Sequence, residues 1–320
     1  MRGAARIWLL AAAAGAALLG GATAAHAQTV ATTPADAPAA MTQSDHAPCV
    51  SPCSKLDLTY VTESDPLYPA LGRQAMKLDL YRSPKTPKKD APVVVLLHGG
   101  GFVEGDRTQM RPFGEALARA GFLVASVEYR LVDKARNNQL GIAKQSDIIP
   151  AAEYATEDTQ AAMRYLRKHA KALGATTDRA RYAVGGYSAG AITALRVALR
   201  GGDKATPAKR RWKVGAAFSI SGFECGSWTL ASGCKPAYDA ADPPIQLFHG
   251  EADTIVPFTW GIQTCTQAVL RGGGCQGYAY PGIDHGWPAG TIFGGGTGLT
   301  RNHPAVVPTV AKFLRKHLAS

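Results

Sequence analysis

Short apolar runs alternate along this chain with longer stretches in which apolar residues recur at helical spacing. Residues 92–97 are a continuous apolar run, typical of a strand buried on both faces, and residues 122–127 are predicted to form a second buried strand. Helical patterns occur at residues 113–120 and 151–173, and Gly121 is predicted to end the first of these helices. Strands that alternate with helices indicate a mostly parallel, twisted sheet with helices on both faces. The sequence therefore predicts an α/β fold.

Weaker patterns extend this sheet in both directions along the chain. Residues 75–81 alternate between apolar and polar side chains, as a half-buried strand does. Further strands are predicted at residues 181–184, 214–220, 245–248 and 278–280, and further helices at 191–199 and 306–318. Residues 132–149 and 224–243 are long for plain connections, so they are predicted rims or small caps at the strand ends.

The N-terminus carries the pattern of a secretory signal peptide. Arg2 and Arg6 precede an apolar run at residues 7–19, and Ala25-His26-Ala27 is a small-x-small cleavage site. A membrane anchor is the alternative, but the apolar run is short for a spanning helix. We therefore predict a signal peptide at 1–27, a flexible linker at 28–54, a single catalytic domain at 55–320, and export to the periplasm or the extracellular space.

Export bears on the six cysteines, because thiols can pair outside the cytoplasm. A metal site is disfavoured, since the chain has no paired C-x-x-C spacing. Other connectivities remain open. Pairing between neighbours along the chain is the simplest scheme, and it joins Cys49 with Cys53, Cys225 with Cys234 and Cys265 with Cys275.

The chain has a formal net charge of +11, and part of the excess lies in one basic run. Such a run favours anionic surfaces or acidic polymers, but it is more often a solvated loop, and we favour the loop. It comes without a nucleic-acid-binding motif, so no nucleic-acid partner is predicted. The run consists of Lys204, Lys209, Arg210, Arg211 and Lys213.

Residues 186–190 read G-x-S-x-G between a predicted strand and a predicted helix. A serine on such a tight turn is lifted clear of the backbone, and the flanking glycines let neighbouring chain segments pass close by. The pattern arises by chance in glycine-rich chains, so its setting has to support it. Ser188 is the predicted nucleophile.

A glycine-rich turn, His98-Gly99-Gly100-Gly101-Phe102, directly follows the strand predicted at 92–97. Backbone N–H groups of glycines can approach a ligand without a side chain in the way, and such donors stabilise the negative charge that builds up in acyl transfer. The N–H groups of Gly100, Gly101 and Ala189 are the predicted oxyanion hole. The alternative is an ordinary turn.

An acid and a base follow two later strands. Asp253, in His249-Gly250-Glu251-Ala252-Asp253, is the predicted acid, and His285, before Gly286-Trp287-Pro288, is the predicted general base. Asp242 precedes its strand and Glu224 is a weaker rival for the acid. His98, His249, His303 and His317 are less well placed as the base.

These motifs resemble the α/β-hydrolase fold, from about residue 56 to the end, and specifically its secreted carboxylesterases and lipases, which share the order serine, acid, histidine. The turn at 98–102, the segment 127–131 and Glu157-Asp158 resemble the hormone-sensitive-lipase-like group. Too few residues precede the first strands for that group's N-terminal helical cap, so a small cap or none is expected. The segment 285–288 is more similar to feruloyl esterases and polyhydroxyalkanoate depolymerases.

The resemblance implies a serine esterase that forms an acyl-enzyme and needs no metal and no organic cofactor. Its substrate would be a small or polymer-bound ester. A polyester depolymerase, a feruloyl-esterase-like enzyme and a non-catalytic binding protein are the alternatives. Phe102, Tyr187 and Trp287 are predicted to line the substrate cleft, although aromatic residues more often belong to the core.

Overall fold

One eight-stranded sheet organises the computed structural model, which describes residues 54–64, 73–132, 145–200, 212–224 and 240–319. The strands in that part of the chain are β1 (Ser54–Ser64), β2 (Arg73–Arg82), β3 (Val93–Leu97), β4 (Leu123–Val127), β5 (Tyr182–Tyr187), β6 (Ala216–Ile220), β7 (Ile245–Gly250) and β8 (Cys275–Tyr280). Their spatial order is β1-β2-β4-β3-β5-β6-β7-β8. β1 and β2 run antiparallel to their neighbours, and the other strands pair in parallel. The predicted mostly parallel sheet is confirmed.

Helices cover both faces of the sheet. Within the described residues they are α1 (Arg111–Arg119), α2 (Gln145–Lys168), α3 (Ala170–Leu173), α4 (Ala189–Arg200), α5 (Phe258–Leu270), α6 (Ala289–Phe293) and α7 (Val306–His317). Alternate residues of β3 enter two different cores: Val95 lies in the same buried cluster as Leu195 of α4, whereas Val94 lies in the same buried cluster as Leu314 of α7. Because side chains alternate across a strand, a strand covered on both faces has to be apolar throughout.

The structure shifts some predicted boundaries and adds one helix. α2 begins at Gln145, before the predicted start, and a break at His169 separates it from α3. α5 is a helix that the sequence patterns do not predict, because its glycine and three threonines are poor helix formers. Its buried face consists of small residues, Gly261, Thr264, Cys265 and Ala268, so packing outweighs propensity here.

Several predictions fall outside the described residues. These are the signal peptide at 1–27, the linker except Ser54, and residues 133–144 and 225–239 of the two predicted rims. Cys49, Cys53, Cys225 and Cys234 also lie there. Across the part of the chain that is described, no helix is both long and apolar enough to cross a membrane.

Cys265 and Cys275 form a disulfide with a Cα–Cα distance of 5.4 Å, which confirms the predicted pairing of these two residues. Cys265 lies on α5 and Cys275 opens β8. The bond therefore anchors the sheet's edge strand to the helix that precedes it.

We expect the double substitution Cys265→Ala and Cys275→Ala to lower the free energy of unfolding by about 2–3 kcal/mol, because it removes a cross-link that restricts the unfolded chain. Urea titration followed by circular dichroism measures this change. The single variant Cys275→Ala is the control and should lose a similar amount, since either substitution breaks the bond. An unchanged denaturation midpoint in both variants would contradict the stabilising role.

Candidate active site

Ser188 lies on a sharp turn between β5 and α4, at the carboxyl end of the parallel strands. Its φ is +53°, a left-handed conformation that is strained for a residue with a side chain. The turn is held in place by its own backbone: the Ser188 N–H donates to the carbonyl of Ile220 on β6 at 2.9 Å, and the Ile192 N–H donates to the Ser188 carbonyl at 3.0 Å. Ser188 is thus presented on a fixed platform.

The glycines on either side of Ser188 allow this turn to pack against β3. A Cβ on Gly190 would stand 2.2 Å from the carbonyl oxygen of Leu97, and a Cβ on Gly186 would stand 2.6 Å from the same atom. No side chain fits at such distances, so both positions require glycine. The G-x-S-x-G spacing reflects this close approach of two strand ends.

The structure brings Ser188, His285 and Asp253 together. The Oγ of Ser188 is 2.9 Å from Nε2 of His285, and Nδ1 of His285 is 2.9 Å and 3.0 Å from the two carboxylate oxygens of Asp253. A carboxylate only accepts hydrogen bonds, so Nδ1 carries the proton and Nε2 is free to accept from the serine hydroxyl. The three side chains form one hydrogen-bonded chain that can withdraw a proton from Ser188.

Asp253 is ionised by its surroundings. Burial alone raises the pKa of this carboxyl group, but hydrogen bonds from His249, His285 and the Val256 N–H outweigh it and hold the pKa well below its ordinary range. The Val256 and Ile255 N–H groups both donate to Oδ1, at 2.7 Å and 3.0 Å. Asp253 is therefore a fixed negative charge beside His285.

The loop after β7, which carries Asp253, is joined to the loop after β8, which carries His285. Oδ1 of Asp284 accepts from the Thr254 N–H at 2.8 Å and from the His285 N–H at 2.6 Å. These two N–H donors lower the pKa of Asp284. The Ala252 N–H also donates to the Ile283 carbonyl at 3.1 Å. The acid and the base are held in one assembly although they lie on different loops.

His249 is a site residue whose role the sequence analysis missed. Its ring is 2% exposed, and Nε2 lies 2.9 Å from the carbonyl oxygen of Val256 and 3.4 Å from Oδ2 of Asp253. It ties the acid loop back to the end of β7. Its position four residues before Asp253 in His249-Gly250-Glu251-Ala252-Asp253 was the available signal, but sequence alone does not show that the ring points at the carboxylate.

The predicted oxyanion turn lies directly against Ser188. Gly100, Gly101 and Phe102 have φ values of +113°, +58° and +65°, and the Gly100 carbonyl accepts from the N–H groups of Val103 and Glu104. A Cβ on Gly99 would stand 3.3 Å from Cβ of Ser188. The glycine-rich backbone therefore reaches the serine at contact distance.

His98 supports this turn from inside the protein. Its ring stacks on Tyr129 with centroids 4.2 Å apart, its Nδ1 donates to the Gly99 carbonyl at 2.7 Å, and its own carbonyl accepts from the Tyr129 hydroxyl at 2.7 Å. Burial lowers the pKa of His98 to about 4. The ring is therefore neutral near pH 7, and it acts as a brace for the turn.

Arg130 and Asp158, two residues that the resemblance pointed to, form a buried ion pair behind Tyr129. Nη2 of Arg130 is 2.9 Å from Oδ1 of Asp158, the Arg130 N–H donates to Oδ2 at 2.9 Å, and the guanidinium lies 4.3 Å from the ring centroid of Tyr154. A buried charge requires such partners. The pair fixes α2 against the end of β4, next to the His98 brace.

Apart from His249, which contacts Asp253, and His98, which braces the glycine turn, the rival acids and bases lie away from this hydrogen-bonded chain. Glu224 pairs with Arg196 at 3.6 Å. Asp242 precedes β7, at the opposite end of the strand from Asp253. His303 contacts Thr300 in a surface turn, and His317 packs on Phe313 at the end of α7.

The three predicted cleft residues differ in exposure. Phe102 and Trp287 are 2% and 8% exposed, and the Trp287 indole N–H donates to Oγ of Ser221 at 3.0 Å. Tyr187 is half-buried, and its hydroxyl donates to the His285 carbonyl at 2.6 Å. These contacts support the loops of the site, and substrate contact by the three side chains stays a prediction. Within the described residues, no group of three or more His, Cys, Asp or Glu side chains could hold a metal ion.

Comparisons with known proteins point to esterases. Residues 78–220 match the family model described as BD-FAE. Esterase LipI of Mycobacterium tuberculosis is 36% identical over 130 residues, which are 40% of this chain and 35% of that protein. Gut esterase 1 of Caenorhabditis briggsae is 26% identical over 130 residues, which are 40% of this chain and 22% of that protein. The chain thus spans only a minor part of the length of these curated relatives.

Among solved structures, esterase 2 of Thermogutta terrifontis is similar over most of both chains. Its native form has a TM-score of 0.61 and 20% identity, with 82% of this chain and 91% of that chain covered. Its propionate-bound form has a TM-score of 0.61 and 21% identity, with 83% and 96% covered. This chain therefore has the α/β-hydrolase fold.

We expect the buried His98 to make stability fall in mild acid. Its pKa of about 4 in the folded protein is below its ordinary value of 6.5, so between these two values the unfolded chain binds more protons and protonation favours unfolding. Lowering the pH from about 7 to about 5 should cost about 2 kcal/mol through this residue.

Urea titrations at both pH values test this effect, with His98→Gln compared to the wild type. The difference between the two pH values should shrink in His98→Gln and persist in the control His303→Gln, which alters a surface turn. An unchanged difference in His98→Gln would show that His98 is not the group responsible.

Proposed function

We propose that this chain is an exported serine carboxylesterase that forms an acyl-enzyme on Ser188. The observation that carries the proposal is the hydrogen-bonded chain from Ser188 through His285 to Asp253, with distances of 2.9 Å at both links. A hydroxyl beside an imidazole that a carboxylate orients is an activated nucleophile. The similarity to esterases in sequence and in fold supports the same reaction class. Export rests on the N-terminal sequence pattern alone.

Acylation begins when Oγ of Ser188 attacks the carbonyl carbon of the ester while Nε2 of His285 takes the hydroxyl proton. The carbonyl oxygen becomes negative in the tetrahedral intermediate. When the intermediate collapses, the bond to the alcohol oxygen breaks and His285 returns the proton to the leaving alcohol. Asp253 stabilises the imidazolium ion and keeps Nδ1 as its donor throughout.

The N–H groups of Gly100, Gly101 and Ala189 are the proposed oxyanion hole. Ala189 opens α4, where backbone N–H groups have no carbonyl partner within the helix and the helix dipole favours negative charge. The glycine turn lies at contact distance from Ser188 and is braced by His98. Losing one such donor typically costs about 10²–10³ in rate.

Deacylation repeats the chemistry with water. His285 takes a proton from water, the resulting hydroxide attacks the acyl carbon, and the acid leaves as Ser188 recovers its proton. The protein groups that act in this proposed cycle are side chains and backbone N–H groups of the described residues.

A short acyl chain is the proposed substrate preference. The similar Thermogutta esterase has been solved with propionate and with butyrate bound, and also phosphorylated by paraoxon. We propose that this chain likewise accepts short acyl esters and that paraoxon phosphorylates Ser188.

Ser188→Ala should lower the turnover of p-nitrophenyl butyrate by roughly 10⁴-fold or more, because no other hydroxyl replaces the nucleophile. Paraoxon should inactivate the wild type with a single mass addition on the peptide that contains Ser188, and should leave Ser188→Ala unlabelled. p-Nitrophenyl palmitate is the control for chain length and should react more slowly than the butyrate ester.

Near-normal esterase activity in Ser188→Ala would reject the nucleophile. Absence of both labelling and turnover in the folded wild type would favour a non-catalytic binding protein. Faster hydrolysis of feruloyl or polyester substrates than of butyrate esters would move the substrate to those classes.

Asp253→Asn should lower kcat by about 10³–10⁴-fold, because the amide donates to Nδ1 and leaves the proton on Nε2, where it blocks proton transfer from Ser188. Glu224→Gln is the matched control, a buried carboxylate changed in the same way, and it should retain activity within about tenfold. Activity in Asp253→Asn together with an inactive, folded Glu224→Gln would transfer the role of the acid to Glu224.

A further inference from the structure

Many of the lysines and arginines in the described residues lie at the amino ends of the parallel strands, the end of the sheet opposite Ser188. The segments 82–92, 164–181 and 212–215 precede β3, β5 and β6, three strands that are neighbours in the sheet. They contain eleven lysines and arginines against two aspartates, a net charge of +9, whereas the whole chain has +11. We name these three segments the basal face.

Direct contacts join the three segments into one surface. Ala91 and Ala175 form a β-bridge, and the Ala91 N–H donates to the Gly174 carbonyl at 3.0 Å. Arg179 lies over the ring of Trp212, with its Cζ 4.8 Å from the ring centroid. The cations are therefore held side by side by the fold.

The two aspartates of the basal face are engaged in local structure. Asp90 forms an ion pair with Arg181, and Asp178 accepts the Ala180 N–H at 2.9 Å. The lysines at positions 85, 88, 89, 168, 171 and 213 are exposed. Asp253 and Asp284 lie instead in the two loops that hold His285 beside Ser188. Within the described residues, the cations of the basal face therefore lie away from the proposed active site.

The basal face is concave. One hollow of about 240 Å³ is lined by Arg82, Lys88 and Lys171, and a second of about 300 Å³ is lined by Arg164, Arg167, Lys168 and Arg179 above Trp212. Both are at or below the lower end of the usual size range of ligand clefts, so each suits one small group. Two such hollows on the basal face fit a chain that presents acidic groups at intervals.

We infer that the basal face binds a linear acidic polysaccharide, such as a polymer of uronic acids. This goes beyond the proposed esterase activity and does not depend on it. The large hydrophobic side chains that are exposed within the described residues are Ile149, Val269 and Leu270, and none lies on the basal face. The face thus presents no apolar anchor for a bilayer and no exposed aromatic platform for stacking bases.

Of the basic run named in the sequence analysis, only Lys213 belongs to the basal face, because Lys204, Lys209, Arg210 and Arg211 lie outside the described residues. A strongly basic surface attracts a polyanion at long range and holds it at low salt. Acidic polysaccharides occur outside cells, where the predicted signal peptide directs the chain. The arrangement would place the protein on the polymer with Ser188 facing outward.

Binding to polygalacturonate-coupled beads tests the inference, with neutral dextran beads as the matrix control. The full chain carrying Ser188→Ala keeps the polymer intact during the experiment. We expect binding to polygalacturonate at about 20 mM salt, loss of binding at about 500 mM salt, and no binding to dextran. The double variant Lys88→Glu and Lys171→Glu should bind at least about tenfold more weakly.

The matched control is Arg271→Glu with Arg301→Glu, two exposed cations off the basal face, which should bind like the parent. To check folding, both double variants are also made in the chain that keeps Ser188. Hydrolysis of a soluble ester by these proteins shows that they are folded. No binding to polygalacturonate at low salt, or equal loss in both double variants, would overturn the inference. The inference would also be overturned if the protein bound phosphatidylglycerol vesicles but bound polygalacturonate beads no better than dextran beads. If wild type binds but hydrolyses no ester, the proposed function fails and this inference stands.

Discussion

The close approach of the end of β3 to the Ser188 turn is the constraint on which the site depends. Two glycines allow it, because side chains at Gly186 and Gly190 would collide with the carbonyl oxygen of Leu97. The contact places a glycine-rich backbone beside the serine, and Ser188 adopts a left-handed conformation in this turn. Such strain persists because the surrounding sheet over-determines it. A parallel sheet with buried strands on both sides of β5 provides that rigidity.

Around this contact, side chains from segments that are far apart along the chain hold the site in place. His98 and Tyr129 brace the glycine turn, while His249 and Asp284 hold the loops of Asp253 and His285. Each support uses a buried or partly buried polar side chain that hydrogen-bonds to a backbone group of the loop it holds. Together they fix the distances between the serine, the imidazole and the carboxylate to hydrogen-bond length, as proton transfer requires.

The charge distribution separates the two ends of the sheet. The proposed chemistry lies at the carboxyl ends of the parallel strands, and the basal face lies at their amino ends, about 16 Å away across a five-residue strand. Ions at this separation are largely screened from one another at physiological salt. A polyanion on the basal face would therefore barely change the electric field at Ser188, which keeps attachment and catalysis independent.

The sequence by itself determined the fold class and the elements that carry the site. Continuous apolar runs such as 92–97 predict strands buried on both sides, and the glycines around Ser188 mark a turn that only glycine permits. These are local properties, so sequence reveals them. The sequence does not predict helix α5, because its glycine and threonines disfavour a helix. Only the packing of its small buried residues outweighs that preference.

Only the tertiary structure decided what each polar residue contacts. Sequence ranks Asp253 above Asp242 because Asp253 follows its strand, and it keeps Glu224, which also follows a strand, as a weaker rival. The structure decides between the last two by placing Glu224 beside Arg196 and Asp253 beside His285. The concentration of cations on the basal face is equally invisible in sequence, because its segments are far apart along the chain. Hydrogen bonds and electrostatic fields act through space, and the spatial neighbours of a side chain are set by the fold.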